Sequence, residues 1–266
     1  MVISPSSTPL LELILINDQD PRLNLSSLFS AGPCTSSALD LAYDWFTKCK
    51  TSQHHASCNQ PRHGGTSQFP TRLVDIGKQS ATDWTLRVMA LDGKPDSDAS
   101  YMTLSYRWGE NPTLVLLKSN LNDLRAGSSI CNLPSTFRDF ITVARRFLVR
   151  YVWIDALCII QDSDEDWEAE APMMRYVYAN SVCNVAASAS SDPEGGLFRK
   201  RLSLVPGLVS TSLFSDRSQE YVMFDKHYWR HELNHGPLQK RGWVYQELLL
   251  APRILYFGYK QILLQC

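Results

Sequence analysis

A carboxylate set one helical turn from an indole is the feature of this chain best suited to chemistry. In Arg241-Gly242-Trp243-Val244-Tyr245-Gln246-Glu247-Leu248, helical spacing puts Trp243, Glu247 and Leu250 on one face at i, i+4 and i+7. Turned toward the protein, that face buries Glu247 against apolar groups. Burial raises the cost of ionising an acid, so such a group is either paired or chemically employed.

Two other sets of residues have the composition of metal sites. His231-Glu232-Leu233-Asn234-His235 matches the H-E-x-x-H pattern of zinc proteases, with His227 one turn earlier. Gly236-Pro237 ends any helix there at once, and no third ligand falls at the metzincin spacing, so coincidence explains the pattern better. Cys49, His55 and Cys58 offer three zinc ligands, but their spacing is not that of a standard finger and no fourth ligand is obvious. A polar loop beside a helix is the simpler reading, and no metal ligand is assigned. Asp162, Asp164 and Asp166 mimic the start of a calcium loop, yet Trp167 stands at the position that requires glycine and Met173 at the bidentate position. Acidic residues at a helix N-terminus suffice to explain them. Phosphate-binding glycine loops and a nucleophile elbow are absent, so ATPase, Rossmann oxidoreductase and serine hydrolase readings have no motif behind them.

The elements that must position Glu247 follow from periodicity. With 266 residues, 44% hydrophobic, the chain can bury a real core, and a net charge of −1 gives no basic surface for nucleic acid. The apolar run 10–16 is interrupted by Glu12 and too short for a bilayer, and no basic leader precedes it. Seven irregularly spaced cysteines, with Cys131, Cys158 and Cys183 in or beside apolar segments, fit a reduced, cytoplasmic protein. Residues 1–68 form a lead-in with a helix over 40–50 and a polar loop over 51–68. Strands are expected at 72–76 and 84–89, pairing as a hairpin, then at 101–106, 151–155, 181–187, 253–257 and 261–265. Helices intervene: one capped by Ser135 or Thr136, carrying Phe137, Phe140, Ile141, Ala144 and Phe147/Leu148 as its apolar stripe; one opening at Asp164, with Trp167, Ala171, Met174 and Tyr178 in line and kinked or restarted by Pro172; and the 241–250 helix. Alternating strands and helices predict an α/β fold with a mostly parallel sheet flanked by helices, interrupted by an insertion near 197–238.

Six motifs carry a family resemblance: Leu104-Ser105-Tyr106-Arg107-Trp108-Gly109, the 151–162 segment through Asp155, Asp166-Trp167, the 174–178 segment, Gly196-Leu197-Phe198, and Arg241-Gly242-Trp243 with Gln246-Glu247. In order and spacing the chain resembles the fungal heterokaryon-incompatibility (HET) domain over residues 69–266. The lead-in, with Trp45, Cys49, His55 and Cys58, is similar to what precedes that domain. Arg107 stands where Cys is common, Leu248 where Arg often follows, and Leu264-Gln265 where an aromatic-Glu pair usually precedes the final Cys266. The ending at Cys266 leads us to expect a domain standing nearly alone.

HET domains are in turn distantly similar to TIR domains, of flavodoxin-like fold, which implies a TIR-like core over about 101–266. Leu104 to Arg107 resembles the first TIR strand and Val152 to Asp155 the second. Trp243 and Glu247 resemble the Trp-Cys-x-x-Glu helix of TIR domains that cleave NAD, with Val244 in the Cys position. The resemblance implies self/non-self recognition and programmed cell death. It further implies a homo-oligomer, an activating protein partner, and NAD as substrate rather than cofactor.

In that chemistry the nicotinamide leaves as a neutral molecule and needs no general acid, so one carboxylate that steadies an oxocarbenium-like ribose is sufficient. Glu247 would be catalytic. Ser105, Tyr106, Arg107, Trp108, Asp155 and Trp243 would bind substrate at strand ends where α/β sheets collect ligands, with Arg107 on a phosphate. The alternative is a non-enzymatic homotypic signalling module, in which Trp243 is core, Arg107 bridges Asp155 or Glu247, and the motif only holds helix to sheet. The catalytic reading requires Glu247 to open into a cavity; a carboxylate locked to a guanidinium with no void beside it leaves the module.

Overall fold

The computed structural model describes residues 11–15, 36–60, 69–93, 95, 99–110, 114–199, 207–211, 219–225, 235–259 and 261–266. Its centre is an eight-stranded sheet in the order β11-β10-β7-β4-β6-β2-β3-β5. These strands are β2 (Arg72–Asp75), β3 (Asp83–Val88), β4 (Tyr101–Ser105), β5 (Ser128–Ser129), β6 (Tyr151–Trp153), β7 (Cys183–Ala186), β10 (Ile254–Phe257) and β11 (Ile262–Gln265). The α/β class expected from the sequence is present, but "mostly parallel" is corrected to mixed. Only β10-β7-β4-β6 run parallel, and every flanking pair is antiparallel. Connection length accounts for two of these four pairs. β2 and β3, and β10 and β11, are joined by short turns, which permit only antiparallel pairing. In chain order the parallel strands read 2-1-3-4, the flavodoxin-like doubly wound order, whose direction of progress reverses beside its first strand, β4.

Sequence explains where each strand sits. β7 is nearly continuous in small and apolar residues and fully buried, as a parallel strand covered on both faces must be. All four β2 residues are buried, so this strand does not alternate between a core face and a solvent face. Its polar members are paired instead. Arg72 bonds Asp166 and lies 3.7 Å from Glu170, while Asp75 accepts two bonds of 2.8 Å from Arg150. The apolar run near residue 12 is strand β1 (Leu11–Leu15), which pairs with β9 (Gln219–Asp225); β9 also pairs with β8 (Gly207–Thr211) in a separate three-stranded antiparallel sheet. The last two strands fall within the expected insertion.

Helix α1 (Ser36–Thr51) sends Leu39, Ala42 and Phe46 into the main core and packs against α3 (Ser135–Arg146). Neither Ser135 nor Thr136 caps α3 as expected; Pro134 occupies that position. Glu194 accepts from the Ser135 amide at 3.2 Å, and the Pro193 carbonyl from that of Thr136 at 2.9 Å. A tertiary contact thus satisfies donors that a local side chain usually takes. After α3, Leu148 adopts φ +57° and is 70% exposed, not part of the apolar stripe. Bonds from Leu148 N to Arg145 O and Val149 N to Ala144 O form the Schellman motif, with leucine where glycine is preferred. Pro172 acts as expected: α5 (Asp164–Glu170) ends, a 3-10 turn intervenes, and α6 (Met174–Asn180) restarts. Helix α4 (Asp155–Cys158) follows β6, α2 (Leu121–Ala126) precedes β5, and α7 (Val244–Leu250) packs on α6. Cys158 and Cys183 are buried, whereas Cys131 is exposed, contrary to expectation. No helix among the described residues is long and apolar enough to cross a membrane.

Two substitutions test this packing. Phe140, fully buried at the centre of α3, should cost about 3–5 kcal/mol as Phe140→Ala in urea unfolding. Leu148→Gly relieves a left-handed backbone with no packing to lose, and should raise stability by up to about 1 kcal/mol.

Candidate functional site

Three elements converge at the carboxyl ends of the parallel strands. β4 ends at Ser105 and runs out into Tyr106, Arg107 and Trp108; β6 ends two residues before Asp155; α7 supplies Glu247. Between them lies Arg241, on the turn before α7. One guanidinium nitrogen donates to the Tyr106 carbonyl at 2.9 Å and stands 3.6 Å from a Glu247 oxygen, while another donates to Asp155. The opposite oxygen of Asp155 accepts from the Ala156 amide at 2.8 Å, and the Trp108 indole donates to Asp155 at 3.0 Å. Arg241 also stands 5.9 Å from the centroids of both the Tyr106 and Trp108 rings.

Glu247 is 1% exposed, and neither of its oxygens has a hydrogen-bond partner among the described residues. Burial first, and then the negative charge of Asp155, push its pKa up to about 7, against the opposing pull of Arg241 and weaker help from the Ser105 and Tyr178 hydroxyls. The same enclosure drives the Tyr106 and Tyr178 phenols far above their ordinary range, chiefly by desolvation, so both stay neutral. Arg241 is held protonated by Asp155 and Glu247 despite its burial.

The structure brings together Ser105, Tyr106, Trp108, Asp155 and Glu247 and leaves two expected members out. Ser105 is bonded to Asn184 at 2.9 Å within the sheet. Trp243 precedes α7 and is 46% exposed, so the helix buries Val244 and Glu247, with Ala251 buried just past its end, rather than the 243–247–250 stripe. Arg107 is exposed and bridges neither acid; Arg241 makes that bridge. Arg241 was visible only as a motif member, since nothing local distinguishes a surface arginine from one folded back onto two carboxylates. Tyr178 was expected on a helix stripe but not beside Glu247.

Arg107 and Trp108 instead line a cleft of about 510 Å³ with Glu110, Asp192 and Glu194. Its walls follow β4 and β7, the two strands beside which progress through the sheet reverses, where doubly wound sheets bind ligands. Gly109 is required there: its φ is +74°, and a Cβ would meet Asp192 at 3.0 Å. Gly196, at φ +68°, clears Asp139, which accepts from the amides of Leu197 and Phe198 and so docks the Gly-Leu-Phe segment on α3. Glu247 borders neither this cleft nor one of about 560 Å³ between Trp167 and Trp243. His227 and His231 lie outside the described residues; His235 precedes a 3-10 turn over Pro237–Lys240. The acidic run 162–166 is occupied by protein contacts: Asp162 accepts from the Lys118 amide, and Asp166 from Arg72 and the Ile160 amide.

Residues 101–247, more than half of the chain, match the family model described as Heterokaryon incompatibility protein (HET). The match opens at β4 and closes on Glu247, so it spans every residue of the Arg241 cluster. No curated protein and no solved structure matches the chain.

The cluster has a pH signature. Native Glu247 keeps its proton up to about 7, whereas an unfolded glutamate loses it near 4.5, so the native state binds more protons between these values. Its contribution is fully present below the lower value and lost as pH rises through the upper one. Urea midpoints should report a decline of about 3 kcal/mol across that window, flattened in Glu247→Gln. Arg241→Ala, which strands buried carboxylates, should cost about 3–5 kcal/mol at neutral pH and less in acid.

Proposed function

The chain belongs to the heterokaryon incompatibility (HET) family, and on that premise we propose that it serves incompatibility-type recognition as a homotypic contact module. The Arg241 cluster then acts as the clasp that holds α7 to the sheet. The observation that carries this reading is the enclosure of Glu247: it is 1% exposed, sits beside a guanidinium, and borders neither described cleft. A carboxylate so placed cannot touch a nucleotide. The outer face of α7 has the opposite character. Trp243, Tyr245 and Leu249 are exposed there, and Trp167 of α5 stands across the shallow cleft from Trp243. Large aromatic side chains left in water mark contact surfaces. Glu168 and Arg175 beside the two indoles give the patch both signs of charge, so a second copy related by a two-fold axis would meet its complement.

A second reading, TIR-like cleavage of NAD, is favoured by one observation. Both oxygens of Glu247 are buried without a hydrogen bond, an expensive arrangement that an acid poised for chemistry would account for. Water would replace nicotinamide on the ribose, releasing ADP-ribose, nicotinamide and a proton, and Glu247 would steady the ribose cation. Arg241 must first leave its place between Asp155 and Glu247.

Two measurements separate these readings. Sedimentation velocity should show concentration-dependent association that weakens about thirtyfold or more in Trp167→Ala/Trp243→Ala, since a tryptophan at the centre of a contact is worth about 2 kcal/mol. A wild type that stays monomeric throughout ends the homotypic proposal. Concentrated protein mixed with NAD should release no more nicotinamide than Glu247→Gln does; release that is lost in a Glu247→Gln protein of unchanged melting behaviour would establish the enzyme instead.

A further inference from the structure

Outside the HET-matched residues, the end of the chain completes a ligand set that the lead-in leaves one short. Cys49 lies in the last turn of α1, His55 and Cys58 in the following 3-10 segment Gln53–Asn59, and Cys266 directly after β11. Their sulfur and imidazole ligand atoms all lie within 4.8 Å of one another. His55 turns Nδ1 into the group, 3.3 Å from the Cys266 sulfur and 4.0 Å from that of Cys58. We propose that Cys49, His55, Cys58 and Cys266 bind a structural zinc ion that fastens α1 and the 3-10 segment to the β11 edge of the sheet.

Geometry, ligand chemistry and charge each support this. Zinc with bonds of about 2.3 Å to sulfur and about 2.0–2.1 Å to nitrogen sets its ligands roughly 3.5–3.8 Å apart, so these four need only draw in by about an ångström. Three sulfurs and one imidazole form a closed Cys₃His set, which leaves no open position for substrate and marks the ion as structural. No disulfide joins these cysteines, although their sulfurs are close neighbours. The charge argument rests on Arg253, which is 3% exposed and has no carboxylate partner among the described residues. Its Nε donates to the Cys49 sulfur at 3.1 Å, and its remaining nitrogens reach Asn59 and the Val182 carbonyl. A buried guanidinium requires a negative counterpart, and a neutral thiol does not supply one. Three thiolates and a neutral imidazole around a divalent ion carry one net negative charge, which Arg253 balances while orienting Cys49 from outside the ligand sphere. The ion would close a span from Cys49 to Cys266, covering most of the chain, across the contact that α1 makes with β11.

The test is metal content and spectrum of the full chain, purified under reducing conditions without chelator. About one equivalent of zinc per chain is expected, with three of the seven cysteines protected from a thiol reagent until the metal is removed. Cobalt exchange should give the visible bands of a tetrahedral site, with strong sulfur-to-metal charge transfer. In Cys266→Ser, altered at the exposed ligand, that charge transfer should fall by about a third, whereas Cys131→Ser should leave it unchanged. Stripping the metal should lower the melting temperature of wild type. Three results would overturn the proposal: no metal retained and no tetrahedral cobalt spectrum on reconstitution, all seven thiols reacting equally with zinc present, or a disulfide among the three ligand cysteines.

Discussion

One guanidinium cannot serve two buried carboxylates equally, and the site is shaped by that inequality. Asp155 takes the charge-assisted bond from Arg241, together with the Trp108 indole and the Ala156 amide, so its negative charge is fully solvated by protein. Arg241 spends another donor on the Tyr106 carbonyl. Glu247 is left with attraction across 3.6 Å and no hydrogen bond. Removing a second carboxylate from water costs several kcal/mol, which a guanidinium already bonded to Asp155 does not return, so the cheaper state keeps a proton on Glu247. The cluster is then neutral: one cation, one anion and one acid. The polar contact that α7 makes with this end of the sheet through Glu247 depends on that division.

The placement of Trp108 separates the two features that a ligand site would need to combine. One side of the residue lines the polar cleft between the segments after β4 and β7, while its indole nitrogen reaches inward to Asp155. The cleft therefore has cation, aromatic and carboxylates at its rim, and the protonated acid lies behind its wall. Arg107 and Arg241 divide the roles that one arginine was expected to hold. Arg107 faces solvent at the cleft, and Arg241 makes the internal bridge.

What the sequence disclosed and what it concealed follow from the range of each signal. Periodicity is local, and it located β4, β6, β7, β10, β11 and the break at Pro172 because those elements carry their own patterns. The buried face of α7 differs from the expected stripe because tertiary packing, not periodicity, chooses it: Val244 meets the small core while Trp243 is left in solvent. Pairing is not local. Nothing in Leu11 to Leu15 names β9 as its partner, nor does anything near Arg72 announce Asp166 some ninety residues on. Family resemblance reaches some of these distant contacts, since it groups Tyr106, Asp155 and Glu247, which meet around Arg241. It does not reach Arg241 as a bridge or Cys266 as the neighbour of Cys49, His55 and Cys58, because a motif records residue types and not what they touch.

The two ends of the 241–253 segment are anchored differently, which bears on how the clasp could open. At the C-terminal end, Ala251 is buried in the small core formed by Ala186, Leu238, Val244, Ile254 and Tyr256, and Arg253 is tied to Cys49, Asn59 and the Val182 carbonyl. At the other end, Gly242 is exposed, with open space around its Cα, and Trp243 is half in solvent. Glu247 lies on the anchored side of this divide and Arg241 on the loose side. Exposing Glu247 by swinging α7 would disrupt core packing and the Arg253 contacts together, whereas turning Arg241 outward about Gly242 breaks its bonds to Asp155 and the Tyr106 carbonyl and its contacts with Glu247 and the two rings, but leaves the core in place. Any opening of this site therefore runs through Arg241. The cost of that motion is set by leaving Asp155 buried with the indole and amide bonds that remain to it.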